Sequence, residues 1–384
     1  MVRRIFITVA EVSGDQHAAQ LIRRLRELDP QVLVEGHGGR AMRDAGATIH
    51  GETVVNAAMG LHGAGRAMEM YKLLRWTRNY YRQNRPDLHI CIDSSSMNLP
   101  FAQLASRNGV PVLYYIAPQL WASRPWRIRK LRRVVDRVAC ILPFEEEWYR
   151  GRRVDATFVG HPLFDELPPD RLERMQRLRT EPGRFPNGPP VIGIIPGSRK
   201  SEVAANFPPL LEVMQRLRQV FPGTRFVIPT TEATHGQVVA LAGAAADIQI
   251  APNAFNELIS QSDLCLCKSG TSTLHVAAYH VPMIVVYRFN RWIWKLARHL
   301  VLCTPKIALV NILAGNIDLV PEIIPWYGSS GPVADMAVEL LTCPEKLERQ
   351  RQKLRELVTP LDKPGASMNA ARIALGMIEN KADW

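Results

Sequence analysis

The feature that most constrains this chain is a repeated alternation of short apolar, β-branched runs with stretches of helical periodicity. Residues 4–10 read as a strand; after a Ser-Gly-Asp turn, Ala18, Leu21, Ile22, Leu25 and Leu28 fall on one face of a helix. Residues 32–35 read as a second strand, followed by a turn with Gly36, Gly38 and Gly39 and a helix through Met42. Runs at 88–93, 112–116 and 138–142 continue the pattern, with helical segments between them. Strands joined by helices form parallel sheets, because only a crossover returns the chain to the same end. The pattern breaks over 167–190, where two proline pairs, Gly183, Gly188 and dense charge suit a connection. It restarts with 191–195, a helix near 209–221, then 225–229, 248–251, 263–267 and 282–287. The expected class is α/β: two Rossmann-like, doubly wound parallel-sheet domains, 1–166 and 191–343, facing a cleft. Residues 167–190 are the expected linker. A charged helical tail over 344–384 is expected to pack back on the first domain or on a partner subunit.

At 384 residues the chain is long enough for two such cores, and 47% hydrophobic against 22% charged residues excludes a disordered chain. Its 48 Lys and Arg exceed 36 Asp and Glu, a formal net charge of +12 that favours anionic partners. Without an aromatic RNP-type strand or a zinc motif, nucleic acid is not expected among them. The six cysteines are scattered, with no CxxC or His-rich cluster, and read as reduced, mostly buried thiols of a cytosolic protein. No metal site is expected. The N-terminal apolar stretch is short and runs into Glu11, which reads as a first strand rather than a signal peptide. No uncharged apolar run approaches the ~18 residues of a membrane span, so any membrane contact is expected to be peripheral.

Two motifs in the second half suit phosphate. In Ile195-Pro-Gly-Ser-Arg-Lys-Ser-Glu-Val203, Gly197 lets the backbone approach a ligand, and Ser198, Arg199 and the helix start can meet an anion. In Lys268-Ser-Gly-Thr-Ser-Thr273, the hydroxyls of Ser269, Thr271, Ser272 and Thr273 surround Gly270 ahead of another helix. Each has a plainer reading, a surface arginine on a turn or simple N-capping. Together they fit a nucleotide diphosphate. In the first half, Glu11, Ser13, Gly14 and Asp15 follow the first strand and Asp93 ends another. A carboxylate there can act as a general base or cap a turn.

A longer series of matches is similar to the lipid-A-disaccharide synthase family. It comprises Glu11 with Ser13-Gly14-Asp15, Gly38-Gly39 with Met42, Met59-Gly60, Ile92-Asp93 with Asn98, and Pro118 with Trp121-Ala122 and Arg124. It continues with Leu142-Pro-Phe-Glu-Glu146, Phe158-Val-Gly-His-Pro-Leu163, Pro196-Gly-Ser-Arg199 with Glu202, Ser269-Gly-Thr271 and Asn311-Ile-Leu-Ala-Gly315. The resemblance implies a GT-B fold and an inverting, metal-independent glycosyltransferase without a cofactor. Such an enzyme joins UDP-2,3-diacylglucosamine to 2,3-diacylglucosamine 1-phosphate, releasing UDP and forming a β-1′,6 linkage. By similarity Asp93 takes the proton of the acceptor 6-hydroxyl. Arg199 and Ser269 to Thr273 hold the departing diphosphate, and Asn311 and Glu322 line the donor site. Asn98 and Trp121 belong to the acceptor side. Departures from the family pattern are His62, Ser95, Ser96, Ser123, His275 and Pro325. The resemblance also implies the cytoplasmic face of an inner membrane and leaves a homodimer open. A UDP-sugar 2-epimerase-like isomerase and a non-catalytic nucleotide-sugar binder are the alternatives.

Two basic segments bear on the membrane. From Arg124 to Arg137 there are six Arg and one Lys, interleaved with Trp126, Ile128 and Val134; a solvated helix face is the plain reading. Over 289–301 an arc with Trp292 and Ile293 opposes one with Lys295 and Arg298. A core helix would bury the apolar arc too, whereas an interfacial helix would lay it on anionic lipid. Those four residues are the expected membrane-facing set.

Overall fold

The computed structural model describes residues 2–54, 64–288, 294 and 303–379. The chain divides into two units, Met1–Glu166 with Lys363–Trp384, and Leu167–Asp362.

The first unit is built on seven strands: β1 (Arg4–Thr8), β2 (Leu33–Gly38), β3 (Thr48–Glu52), β4 (Leu88–Ile92), β5 (Val112–Tyr115), β6 (Arg137–Cys140) and β7 (Ala156–Phe158). They pair in parallel in the order β3-β2-β1-β4-β5-β6-β7. The chain winds outward from β1 through β2 to β3, then from β4 in the other direction. The loops after β1 and β4 therefore flank the point where the order reverses, the usual place for a ligand in an open α/β sheet. Every residue of β4 is buried, so its apolar run was plain in the sequence. β3 is half-exposed along its length, as an edge strand can be, and lacks the apolar run that would have announced it.

The second unit has β8 (Val191–Ile195), β9 (Arg225–Thr230), β10 (Ile248–Pro252), β11 (Leu264–Lys268), β12 (Met283–Val286) and β13 (Glu322–Ile323). Their order is β10-β9-β8-β11-β12-β13, again all parallel. Here the reversal falls between β8 and β11, the strands that lead into the two candidate phosphate motifs. Its core joins Ile192, Ile194, Phe207, Leu210, Phe226, Leu266, Ile284 and Trp326.

Three boundaries differ from expectation. The helix expected near 209–221 spans Lys200–Val220, so Pro208 and Pro209 lie in its interior rather than at its start. The presumed linker carries helix Arg171–Thr180, and the buried Arg171 donates to the Ala278 carbonyl (3.3 Å) and pairs with Asp362, all within the second unit. The tail divides at 362: helix Pro344–Val358 stays with the second unit, whereas helix Ala366–Glu379 belongs to the first and packs on helix Val12–Leu28. Asp165 fixes that return by accepting the N–H groups of Gly365, Ala366 and Ser367 at 2.5, 3.1 and 2.8 Å. Of the six cysteines, Cys91, Cys140, Cys265 and Cys267 are buried in strands, while Cys343 is half-buried and Cys303 exposed.

Candidate active site

In the first unit the strand-end loops hold a half-buried carboxylate in a left-handed turn. Asp93 follows β4 with φ +55°, and Ser94 has φ +27°. Such values are costly for residues with a Cβ, so the surroundings must hold them. The Asp93 carbonyl accepts the Tyr114 hydroxyl (2.6 Å) and the Asn98 side-chain amide (2.9 Å), and its N–H donates to Tyr115 (3.2 Å). Gly14 lies against this turn: a Cβ there would stand 4.0 Å from the Cβ of Asp93. Glu11, in extended conformation, precedes the helix that begins at Val12, and Ser13 is exposed in its first turn.

Three residues expected at the cleft are instead internal supports. Asp15 is 4% exposed; its carboxylate accepts the N–H groups of Gly39 (2.8 Å), Ala41 (2.8 Å) and Met42 (3.3 Å), capping helix Arg40–Asp44. That closeness requires glycine opposite, since a Cβ on Gly39 would come within 2.6 Å of an Asp15 oxygen. Asn98 is fully buried and donates to the Ile92 (2.7 Å) and Asp93 carbonyls. Trp121 is buried and donates its indole N–H to Glu145 (2.8 Å), which also takes the N–H groups of Ile141 and Leu142. Burial pushes the Glu145 carboxyl up to about 7 against these three donors.

In the second unit the loops after β8 and β11 are tied by an ion pair. Gly197 has φ +136°, and a Cβ there would meet the Glu202 Cβ at 2.5 Å. Only glycine fits. The Glu202 carboxylate, 8% exposed, accepts the Ser198 N–H (3.1 Å) and meets Lys268 Nζ at 2.9 Å, with Arg199 at 3.8 Å. Burial alone would raise its pKa, but Lys268, the Ser198 N–H and Arg199 hold it below the usual carboxylate range. Lys268 also stands 5.0 Å over the Tyr287 ring. Lys268 is not among the residues expected at the site; its signal in the sequence is a lysine closing a buried strand ahead of Ser-Gly-Thr. Arg199 is exposed at the start of helix Lys200–Val220.

The expected cradle of four hydroxyls is mostly turned inward. Ser269 donates to the Ile307 carbonyl (3.3 Å), Ser272 to Lys268 (3.4 Å) and Thr273 to Gly270 (2.8 Å). Only Thr271 of this set is exposed. These bonds stiffen the turn around Gly270 and use the hydroxyl protons that a phosphate would need. Asn311, expected to line the donor site, is fully buried; its amide holds both backbone groups of Val320 (3.0 Å each) and Glu322 (3.0 Å). Glu322 accepts the N–H groups of Ile307 (2.9 Å) and Ala308 (3.1 Å). His275 stacks on Phe255 with ring centroids 4.1 Å apart and bonds Asn256.

The first unit also carries a concavity of about 650 Å³ whose lining includes Arg107, Arg127, Arg129, Lys130 and Arg133, with Trp126 57% exposed at its rim. The segment read as a solvated helix face is therefore one wall of a basic hollow. Met59, Gly60, His62, Trp292, Ile293, Lys295 and Arg298 lie outside the described residues. Among the described residues, no helix is long and apolar enough to cross a membrane, and no three His, Cys, Asp or Glu side chains gather as a metal site.

Two parallel sheets, each with its candidate loops at the point of strand reversal, define the GT-B class of glycosyltransferases and related epimerases. Neisseria meningitidis UDP-GlcNAc 2-epimerase bound to UDP-GlcNAc superposes with a TM-score of 0.61 at 13% identity, covering 99% of both chains. Acinetobacter baumannii MurG gives 0.59 at 16% identity, covering 97% of this chain and 99% of MurG. Within that class, the chain belongs to the lipid-A-disaccharide synthase family: the lipid-A-disaccharide synthetase family model matches residues 5–375. Lipid-A-disaccharide synthase of Anaeromyxobacter sp. (strain K) is 35% identical over 379 residues, covering 98% of this chain and 97% of the relative.

Proposed function

We propose that this chain transfers 2,3-diacylglucosamine from UDP-2,3-diacylglucosamine to the 6-hydroxyl of 2,3-diacylglucosamine 1-phosphate. The observation that carries this reading, beyond family membership, is the opposite chemistry of the two pairs of switch-point loops. One carries Asp93, half-buried at the end of β4, and the other Arg199 beside the Lys268–Glu202 pair. Asp93 accepts the 6-hydroxyl proton as that oxygen bonds to the donor's anomeric carbon. The bond from that carbon to the diphosphate breaks, and UDP leaves with the electron pair. Arg199 and the backbone around Gly197 and Gly270 meet the charge that develops on the leaving group. Transfer is metal-independent and should survive EDTA. Purified protein given both diacylated sugars should release UDP and form the disaccharide, whereas conversion of the donor alone to a C2 epimer would establish the isomerase reading instead.

Both substrates carry acyl chains, so the enzyme works at an anionic membrane surface without spanning it. The basic hollow with Trp126 at its rim supports this, since cations meet lipid phosphates while an exposed indole suits the interface. Sedimentation with phosphatidylglycerol vesicles should weaken when Arg129, Lys130 and Arg133 are changed to Glu. Unchanged sedimentation would remove the hollow from the membrane face.

A further inference from the structure

The turn that presents Asp93 is held from behind by a buried chain of side chains whose hydrogen-bond directions can be assigned one after another. Asn98 Nδ2 faces two carbonyl oxygens, of Ile92 (2.7 Å) and Asp93 (2.9 Å). Carbonyls only accept, so this end of the amide is the NH₂ and the other end is the oxygen. That oxygen lies 2.7 Å from Thr8 Oγ1 and also only accepts, so the single Thr8 hydroxyl proton points to Asn98. The Cys91 sulfur, 3.9 Å from the same hydroxyl, is the weaker competitor for that proton. His89 Nε2 stands 3.1 Å from Thr8 Oγ1, whose proton is already committed, and must therefore bring its own. His89 is then the Nε2–H tautomer. Its bare Nδ1 accepts the Tyr81 hydroxyl at 2.5 Å.

We infer that Thr8 and His89 are positioning residues for the transfer reaction, acting through Asn98 on the backbone of Asp93. The inference rests on the reading of Asp93 as the base. Three features support it. Thr8, His89 and Asn98 are fully buried and Tyr81 is 2% exposed, so water is not at hand to replace a lost partner. Asp93 and Ser94 occupy backbone conformations that persist only where neighbours over-determine them. Every link is uncharged at neutral pH, because burial holds His89 near 3. The chain thus orients a carboxylate without placing a second charge beside it. Thr8 and His89 carry no motif signal, being ordinary-looking members of β1 and β4, and only the pairing of those strands brings them together.

Three measurements test this. Thr8→Val keeps the shape and deletes the proton that orients Asn98; kcat should fall about tenfold to a hundredfold, the usual scale for a displaced reacting group, with the dissociation constant for UDP unchanged. Thr8→Ser should restore kcat. In an Asp93→Asn background, Thr8→Val should cost no further turnover, since its effect passes through the Asp93 carboxylate. A full additional loss there, or a Thr8→Ser variant as slow as Thr8→Val, would show a merely structural role and overturn the inference. Nitrogen NMR of His89 in the unaltered protein should show a protonated Nε2 and a bare Nδ1; the opposite tautomer overturns the assigned chain independently of folding or turnover. If Asp93→Asn itself keeps full activity, the base assignment fails, while the tautomer measurement still decides the hydrogen-bond directions.

Discussion

The loops at the two points of strand reversal are built alike and supported differently. Both follow a buried strand and contain a residue in the left-handed region, Asp93 in the first unit and Gly197 in the second. Behind Asp93 the supports are an amide, a phenol and a threonine, all neutral. Behind Gly197 they are a carboxylate and an ammonium, Glu202 and Lys268, 2.9 Å apart. A charged support would shift the titration of the carboxylate proposed as the base, and none of these three carries a charge. In the proposed role of meeting a departing diphosphate, the second loop gains from positive charge, and there Glu202 holds the Lys268 ammonium in place. One topology thus supports its switch-point loop with neutral groups in the first unit and with an ion pair in the second.

The largest effect should separate the two loops by function. Asp93→Asn should lower kcat by roughly 10²–10⁴-fold, the usual worth of a positioned general base, while UDP binding stays near normal. Near-normal turnover at saturating substrate would make Asp93 a turn residue and end the contrast.

Next in size, Lys268→Met leaves the Glu202 carboxylate buried without its nearest cation, and should cost about 3 kcal/mol in denaturant unfolding. Adding Glu202→Gln should recover most of that loss. No recovery would mean that the pair is not what supports the second loop.

Arg199→Ala is expected to weaken UDP by about 1.5–3 kcal/mol, the range of a charge-assisted hydrogen bond, and to slow transfer as well. Isothermal titration with UDP reads the first effect. A change in kcat with unaltered UDP affinity would place Arg199 elsewhere in the reaction.

The smallest effect concerns pH. Burial holds His17 near 4 and His37 and His89 near 3, so each is neutral in the first unit but protonates when unfolded below about pH 6.5. Each contributes stability that is lost as the pH falls through that window, at about 1.4 kcal/mol per pH unit. Glu145 runs the other way. Its folded value of about 7 lies above the unfolded one, so the fold takes up a proton there and gains as the pH falls from 7 towards 4.5. Glu145→Gln should remove that counterweight and steepen the acid loss of the first unit by about 1.4 kcal/mol per pH unit. Hydrogen exchange in helix Val12–Leu28 at several pH values would check it, and an unchanged slope would show that Glu145 is already ionised in the fold. In the second unit His275 and His280, both near 4 through burial, should be unaffected by this change.

How much of this was legible beforehand depended on whether a residue's role is carried by local pattern or by contacts distant in sequence. The central strands, buried at every position like β4 and β8, stood out as apolar runs. The half-exposed β3 and the two-residue β13 did not, since short or edge strands need no continuous apolar face. The motif glycines were legible too, because Gly197 and Gly39 answer to steric demands that only a missing Cβ meets. Polar motif residues were harder. Asp15, Asn98, Trp121 and Asn311 carried a recognisable pattern, yet nothing local says whether such a side chain faces a ligand or its own backbone.

The sequence by itself determined the alternation of strand and helix, the halves of the chain that form the two sheets, and the family, because periodicity and steric constraint are written locally. The tertiary structure alone decided which hydrogen-bonding groups are used up inside. It turned Asn98 and Asn311 into supports, linked Glu202 to Lys268, divided the tail between the units, and set His89 beside Thr8. The physical reason is that a polar side chain bonds whichever partner the packed strands bring within about 3 Å, and those partners here are often tens of residues away along the chain.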